Sequence, residues 1–355
     1  MTHALRTGGD RGYLRIATEE AFAIPEQLDA YLRLVREGRA DKATTSLWGF
    51  YGSSPSERTT FIRDRLLDLD AMRIQAMDET GIDKAILSMT SPGGQVFEAE
   101  EAKALVTKGN NVLAAAVERY PDRYYGMTSI APQDAEWSVQ EIKRGRDELG
   151  FKGVMVNSHI QGHYLDEPQF DPILRACAEG DQLLYIHPQS PPDNMIAGMV
   201  EAGLDGALFG FGVETGYHLL RIITSGVFDR YPSLQIAVGH GGEALPYWLF
   251  RINYMHQASV RSGRYERLKP LKKTVVDYMR ENVLVTTSGM ASEPAIKLCI
   301  EQMGEDRVMY AMDYPYEFEA DEVRVHDNLA IPFEQKKKLM QTNAERALSC
   351  EYGGE

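Results

Sequence analysis

Eight short apolar runs recur along the chain, each ending abruptly in polar residues: Leu14–Glu19, Lys84–Thr90, Tyr125–Ala131, Phe151–Asn157, Leu183–His187, Leu234–His240, Val283–Ser288 and Val308–Asp313. Near-continuous apolar runs of this length are what strands of a parallel sheet look like when both faces are buried. Stretches of helical period separate them. Leu66, Leu69, Met72 and Ala76 recur at steps of three and four and stop at Thr80-Gly81, just before the second run. The alternation of strand and helix predicts an α/β fold, a (β/α)8 TIM barrel. Such a barrel takes about 250 residues, so 355 residues leave roughly a hundred for insertions in the loops after the strands. The expected organisation is a polar, glycine-rich tail over residues 1–12 and one barrel domain over 13–355.

Three connections are long. A helix from Pro25 to Gly38 leads into Ser46-Leu-Trp-Gly-Phe-Tyr-Gly-Ser-Ser-Pro-Ser-Glu-Arg58, which reads as a loop of aromatics, small residues and one arginine. His187 is followed by Pro188-Gln-Ser-Pro-Pro and a piece rich in glycine and phenylalanine that ends Leu208-Phe-Gly-Phe-Gly-Val213. His240 is followed by Gly241-Gly-Glu243 and Leu245-Pro-Tyr-Trp248. Aromatic side chains on loops at the strand ends suit a pocket that stacks a planar ring.

The chemistry concentrates at four strand ends. Glu19, His187, His240 and Asp313 lie far apart in sequence, and a barrel would gather them on its C-terminal face. Two imidazoles with two carboxylates there read as a metal site rather than as four rim residues. Glu20 follows Glu19 and, by strand alternation, should face the other side. Glu243 lies three residues after His240 and could hold that histidine's second nitrogen. His159 could face the pocket, whereas His218, in a helix from Glu214 to Thr224, reads as core packing or as support for another residue.

Composition narrows the partners. A net charge of -14 excludes nucleic acid and anionic membranes as expected partners. The basic stretch Arg261, Arg264, Arg267, Lys269, Lys272 and Lys273 reads as a solvated or subunit-contact surface. Cys177, Cys299 and Cys350 form no CxxC pair, which points to free thiols and a reducing compartment. No signal-peptide core or run of about 18 apolar residues is present, so the expected location is the cytoplasm.

The motifs Ile16-Ala-Thr-Glu-Glu-Ala-Phe22, Ser46-Leu-Trp-Gly-Phe-Tyr51, Phe209-Gly-Phe-Gly-Val-Glu-Thr215, His240-Gly-Gly-Glu-Ala-Leu-Pro-Tyr247, Tyr310-Ala-Met-Asp-Tyr-Pro-Tyr316 and Asn343-Ala-Glu345 resemble the amidohydrolase superfamily. Within it they resemble the metal-dependent aromatic acid decarboxylases, the 5-carboxyvanillate branch more than the γ-resorcylate branch. The resemblance covers essentially the whole barrel. Glu19 and Ala21 stand where many members carry a His-x-His pair, as in the decarboxylase branch. Asn157 and Ser158 stand where binuclear members carry a metal-bridging lysine, so one divalent ion is implied.

The resemblance makes Glu19, His187, His240 and Asp313 the metal shell and points to Mn²⁺, with Zn²⁺ as the alternative. It makes Arg58 the partner of a substrate carboxylate, a role that its forked guanidinium fits. Phe211 and Tyr316 would line the ring site, with Thr90, His159 and Arg251 as further candidates. Arg251 would act across a subunit boundary in a homo-oligomer, a dimer or tetramer. The implied substrate is a small aromatic carboxylate, an ortho-hydroxybenzoate such as 5-carboxyvanillate, which would give vanillate and CO2.

Direct loss of CO2 would leave an sp² carbanion, so protonating the ring carbon first is the easier route. A metal chelated by the carboxylate and the ortho phenolate oxygen would favour this, with Asp313 carrying the proton and His240 and Glu243 completing the catalytic group. The alternative is a metal-dependent hydrolase in which bound hydroxide attacks an amide, ester or lactone. A hydratase or lyase acting on a ring-opened dicarboxylate suits the aromatic loops less well.

Overall fold

The computed structural model describes residues 11–318 and 321–350. Its strands are β1 (Ile16–Phe22), β2 (Lys84–Met89), β3 (Tyr124–Gly126, resuming after Met127 as Thr128–Ser129), β4 (Gly153–Val156), β5 (Leu183–Ile186), β6 (Ile236–Val238), β7 (Val283–Thr286) and β8 (Val308–Met309). All pairings are parallel, in a three-stranded and a six-stranded group that divide β3 at Met127. Backbone hydrogen bonds join the two groups at both seams. Met127 N–H donates to Leu87 C=O at 2.9 Å, while Thr18 N–H donates to Tyr310 C=O at 3.1 Å and Ala21 N–H to Tyr314 C=O at 2.8 Å. The eight-stranded TIM barrel expected from the apolar runs is therefore present.

Its interior is filled by Ile16, Ile86, Met127, Met155, Leu183, Tyr185, Ala237, Leu284 and Met309. Ala344, Leu348 and Cys350 belong to the same cluster and close the end where the strands begin. A larger apolar layer, including Leu87, Val154, Ile186, Val238 and Val285, packs the strands' outer faces against the helices. Among the described residues, no helix is long and apolar enough to cross a membrane. Of the tail expected over 1–12, residues 1–10 lie outside the described residues, and Arg11 pairs with Asp83 at 2.7 Å.

The first long connection departs from expectation. The helix Pro25–Arg36 forms as read, with proline in its first turn. The stretch taken for an aromatic loop instead contains the helix Lys42–Ser53, and Arg58 lies in the next helix, Glu57–Leu67. Asp41 caps the first of these by accepting Thr44 N–H, and Ser56 caps the second by accepting Thr59 N–H. The glycines of this stretch mark close packing rather than a loop, since a Cβ on Gly52 would lie 2.0 Å from Leu32 Cδ2. The periodicity from Leu66 to Ala76 likewise spans two helices, because the second begins only at Ala71 and Met72 is 40% exposed.

Trp48 anchors the segment. It is buried, stacks on Tyr31 with ring centroids 4.9 Å apart, and donates its indole N–H to Ser91 C=O at 3.2 Å. Tyr31 in turn stacks on Phe97 at 5.4 Å. Trp48→Ala is expected to destabilise the protein by about 3–5 kcal/mol, the range for removing a large buried aromatic; chemical denaturation monitored by circular dichroism measures it.

Candidate metal centre and active site

Glu19, His187 and Asp313 each offer a ligand atom within 4.8 Å of the others, and all three are buried. His240 stands beside them, its Nε2 3.5 Å from Asp313 Oδ2. The structure thus brings together all four residues at the strand ends.

A bulge in β1 sets the direction of Glu19. Ala17 pairs with Ala85 and Glu20 with Leu87, so β1 advances three residues while β2 advances two. Ile16 faces the barrel interior, and unbroken alternation would have turned Glu20 inward; the bulge turns Glu19 inward instead. Glu20 faces out, where its carboxyl accepts Met312 N–H at 3.0 Å and Tyr314 N–H at 3.2 Å, gripping the backbone on either side of Asp313. Asp313 adopts a left-handed backbone, φ 65°.

His187 donates its Nδ1–H to Pro188 C=O at 2.8 Å, which leaves Nε2 with a lone pair facing Glu19 Oε1 at 3.6 Å. His240 opens a left-handed turn that runs through Ala244, with φ values of 52°, 64°, 72°, 54° and 59°. Left-handed backbone costs a non-glycine residue about 1–2 kcal/mol, and Gly241 and Gly242 relieve the middle of the turn. Residues three apart share a face of it, so His240 Nδ1–H reaches Glu243 Oε1 at 3.2 Å and Nε2 is again presented inward.

The electrostatics favour a bound cation. Burial pushes the Glu19 carboxyl up, but His240, His187 and donated hydrogen bonds outweigh it and hold the group below its ordinary range. Asp313 is raised by burial and by the nearby Glu19. Burial opposes charge on His240, yet Glu19, Glu243 and Asp313 hold its imidazolium well above the ordinary value. A site in which the buried carboxylates favour a proton on His240 is one in which a divalent ion can replace that proton. Glu19 Oε1 is buried without a hydrogen-bond partner, as a metal-binding oxygen would be.

A largely apolar cavity of about 680 Å3 reaches the cluster at His240, and its lining also includes Phe211, Glu243, Trp248 and Met290. Gly289 and Glu317 border it and also border a second cavity, of about 470 Å3, lined by Arg58 and Tyr316. Arg58 donates to Tyr316 C=O at 2.9 Å, and the Tyr316 hydroxyl lies 2.5 Å from that of Thr90. Phe211 thus lines the first cavity and Arg58 and Tyr316 the second, with Thr90 held to Tyr316 behind it.

His159 and Arg251 stand apart from both cavities. His159 is buried and donates Nε2–H to Ser190 C=O at 3.1 Å while its Nδ1 accepts Gly162 N–H at 3.1 Å, so neither ring nitrogen is free for a substrate. Arg251 stands on the exposed side of the helix Leu245–Ser262 and lines neither cavity. His218 is a core histidine: Nε2 accepts Leu165 N–H at 3.0 Å and Nδ1–H donates to Ser158 at 3.1 Å.

Two acidic residues escaped the sequence reading. Glu317 borders both cavities, and its only sequence signal is its place directly after Tyr316. Glu214 is fully buried in the helix Gly210–Thr224 beside Ser158 and Tyr164, and neither of its oxygens makes a well-formed hydrogen bond.

Comparison with known proteins places this architecture in a class. Residues 57–349 match the Amidohydrolase family, and the chain belongs to it. A γ-resorcylate decarboxylase from Polaromonas sp. is 33% identical over 339 residues, covering 93% of this chain and 97% of that protein. The solved structure of 5-carboxyvanillate decarboxylase from Novosphingobium aromaticivorans, complexed with manganese and 4-hydroxy-3-methoxy-5-nitrobenzoic acid, is 64% identical with a TM-score of 0.96. It covers 98% of this chain and 99% of that one. The 5-carboxyvanillate decarboxylase of Sphingomonas paucimobilis is 35% identical with a TM-score of 0.90, over 95% of this chain and 99% of that one.

Burial pushes the Glu214 carboxyl up to about 8 from an ordinary 4.5. A carboxyl raised in the folded state contributes stability that is complete below its unfolded value and lost as pH rises through the folded one. Wild-type protein should therefore lose melting temperature relative to Glu214→Gln between about pH 5 and pH 9. Parallel melting curves across that range would refute the assignment.

Proposed function

We propose that the chain is a manganese-dependent, non-oxidative decarboxylase that converts 5-carboxyvanillate to vanillate and CO2. The observation that carries this reading is the buried convergence of Glu19, His187 and Asp313, with His240 beside them and lining an apolar cavity that shares Gly289 and Glu317 with the cavity lined by Arg58. The choice of substrate and metal is supported by the 64% identity to a 5-carboxyvanillate decarboxylase solved with manganese. The residues fit one divalent ion held by Glu19 Oε1, the Nε2 atoms of His187 and His240, and Asp313. That ion supplies Lewis acidity, which favours the ionised phenol of the substrate.

The chain's own groups do the rest. Pro188 C=O and Glu243 fix the tautomers of His187 and His240. Arg58 pairs with the carboxylate that stays on the ring, Phe211 packs against the ring face, and the hydroxyls of Tyr316 and Thr90 bound the polar end. Asp313, gripped on both sides by Glu20, delivers a proton to the ring carbon that bears the departing carboxylate. The C–C bond then breaks, its electrons restore the aromatic ring, and CO2 leaves. Each turnover consumes one proton, so Asp313 is reprotonated before the next.

We further propose a homo-oligomer working in the reducing cytoplasm. The three free cysteines are all buried. The helix Leu245–Ser262 exposes Tyr247 (73%), Trp248, Phe250 (83%) and Tyr254, with Leu208 (77%) and Phe209 also exposed, more apolar surface than a solitary enzyme keeps in water. Arg251 rises from this face and would complete a neighbouring subunit's site. In the basic stretch after it, Arg267 pairs with Asp166 and Lys273 with Glu281.

Metal-stripped protein should regain stoichiometric vanillate and CO2 production with Mn²⁺, and with Zn²⁺ to a smaller extent; absence of turnover with either ion sinks the substrate assignment. Asp313→Asn should still bind metal but lose about 10²–10⁴-fold in kcat, the range for removing a general acid. In sedimentation velocity, wild type should run as a dimer or tetramer and Trp248→Glu/Phe250→Glu as a monomer. A monomeric wild type refutes the assembly.

A further inference from the structure

A carboxylate that ligates a metal can present one oxygen or two, and rotation about its last torsion is soft. Three hydroxyls remove that freedom from Glu19. Tyr185 on β5, Thr286 at the end of β7 and Ser288 just beyond it all donate to the same oxygen, Oε2, Thr286 at 3.0 Å. One carboxylate oxygen has two lone pairs, so three donors leave it none to share. Oε1 is left buried, unpartnered and 3.6 Å from His187 Nε2.

Ser288 does more than its two companions. Its oxygen also accepts the backbone N–H of His240 at 3.0 Å, so one hydroxyl ties Glu19 on β1 to the residue that follows β6. Gly239 closes the remaining side. A Cβ there would lie 2.6 Å from Glu19 Oε2, 2.8 Å from Oε1 and 2.9 Å from Ser288 Oγ. Its φ of -75° is open to any residue, so close approach of the carboxylate, not backbone conformation, demands glycine at this position.

We infer that Ser288, with Tyr185 and Thr286, is a positioning set that commits Glu19 to one-oxygen metal ligation and, through Ser288, holds His240 in register with it. This inference rests on the metal reading above. Removing the Ser288 hydroxyl frees Oε2 and loosens His240 together, which should weaken metal binding by about 10–100-fold, the range for losing a group that orients a ligand. Ser288→Thr keeps the hydroxyl and should bind nearly as wild type does.

The test is Mn²⁺ affinity of metal-free protein, measured by competition with a fluorescent chelator, together with the electron paramagnetic resonance spectrum of the bound ion. Weakened binding and an altered spectrum in Ser288→Ala, with recovery in Ser288→Thr, supports the inference. Wild-type affinity and spectrum in Ser288→Ala overturns it, as does a fall in apoprotein melting temperature with no change in affinity. Should Ser288→Ala fail to fold, Tyr185→Phe and Thr286→Val each remove one donor and are judged by the same criteria. A wild type that binds no Mn²⁺ overturns the metal reading itself, and this inference with it.

Discussion

Two carboxylates, Glu19 and Asp313, are buried within a few ångströms of each other at the mouth of the barrel, and that burial is the constraint the site is built around. Like charges in a low-dielectric setting raise each other's cost, and only positive charge or hydrogen bonding offsets it. The fold meets the cost locally. His187 and His240 bring potential positive charge, hydroxyls from two strands saturate one oxygen of Glu19, and Glu20 steadies the chain around Asp313 without adding a further charge inside the barrel. Without the cation that such a site invites, the carboxylates favour a proton on His240 in its place.

The same economy governs the backbone. Two of the four converging residues, His240 and Asp313, sit in left-handed conformations that side chains disfavour. Strain of this kind persists only where surrounding contacts over-determine it: Gly241 and Gly242 lighten one turn, and Glu20 clasps the other. The apolar cavity above is less constrained, with walls contributed by helices and loops rather than by the barrel.

What the sequence disclosed and what it withheld follow from the range of the interactions involved. An apolar run that ends in Glu, His or Asp is a local signal, and all eight strands and the four converging residues were legible from it. Trp48 and Gly52 misled because their stretch is helical through tertiary packing against Tyr31 and Leu32, which no local pattern reports. His159 could have faced the pocket from its place after a strand, but the backbone of Gly162 and of Ser190 occupies its two nitrogens, and the second of these contacts is made only in the folded chain. Glu214 sits in a helix where an acidic residue ordinarily faces water, and nothing nearby in sequence announces its burial. The hydroxyls around Glu19 come from positions that read as ordinary strand residues, and only the barrel's closure makes them neighbours.

The bulge in β1 has a consequence for how this chain can change. Two adjacent glutamates do unrelated work on opposite sides of one strand, and which does which is decided by a count of residues rather than by their identity. The same residues laid down without the bulge would turn Glu20 inward and Glu19 outward, exchanging their faces with no change in composition. Point substitution explores this site one group at a time, but a change of strand register rewrites it at a stroke. The spacing before Glu19 is therefore as much an inherited trait of the enzyme as the carboxylate itself.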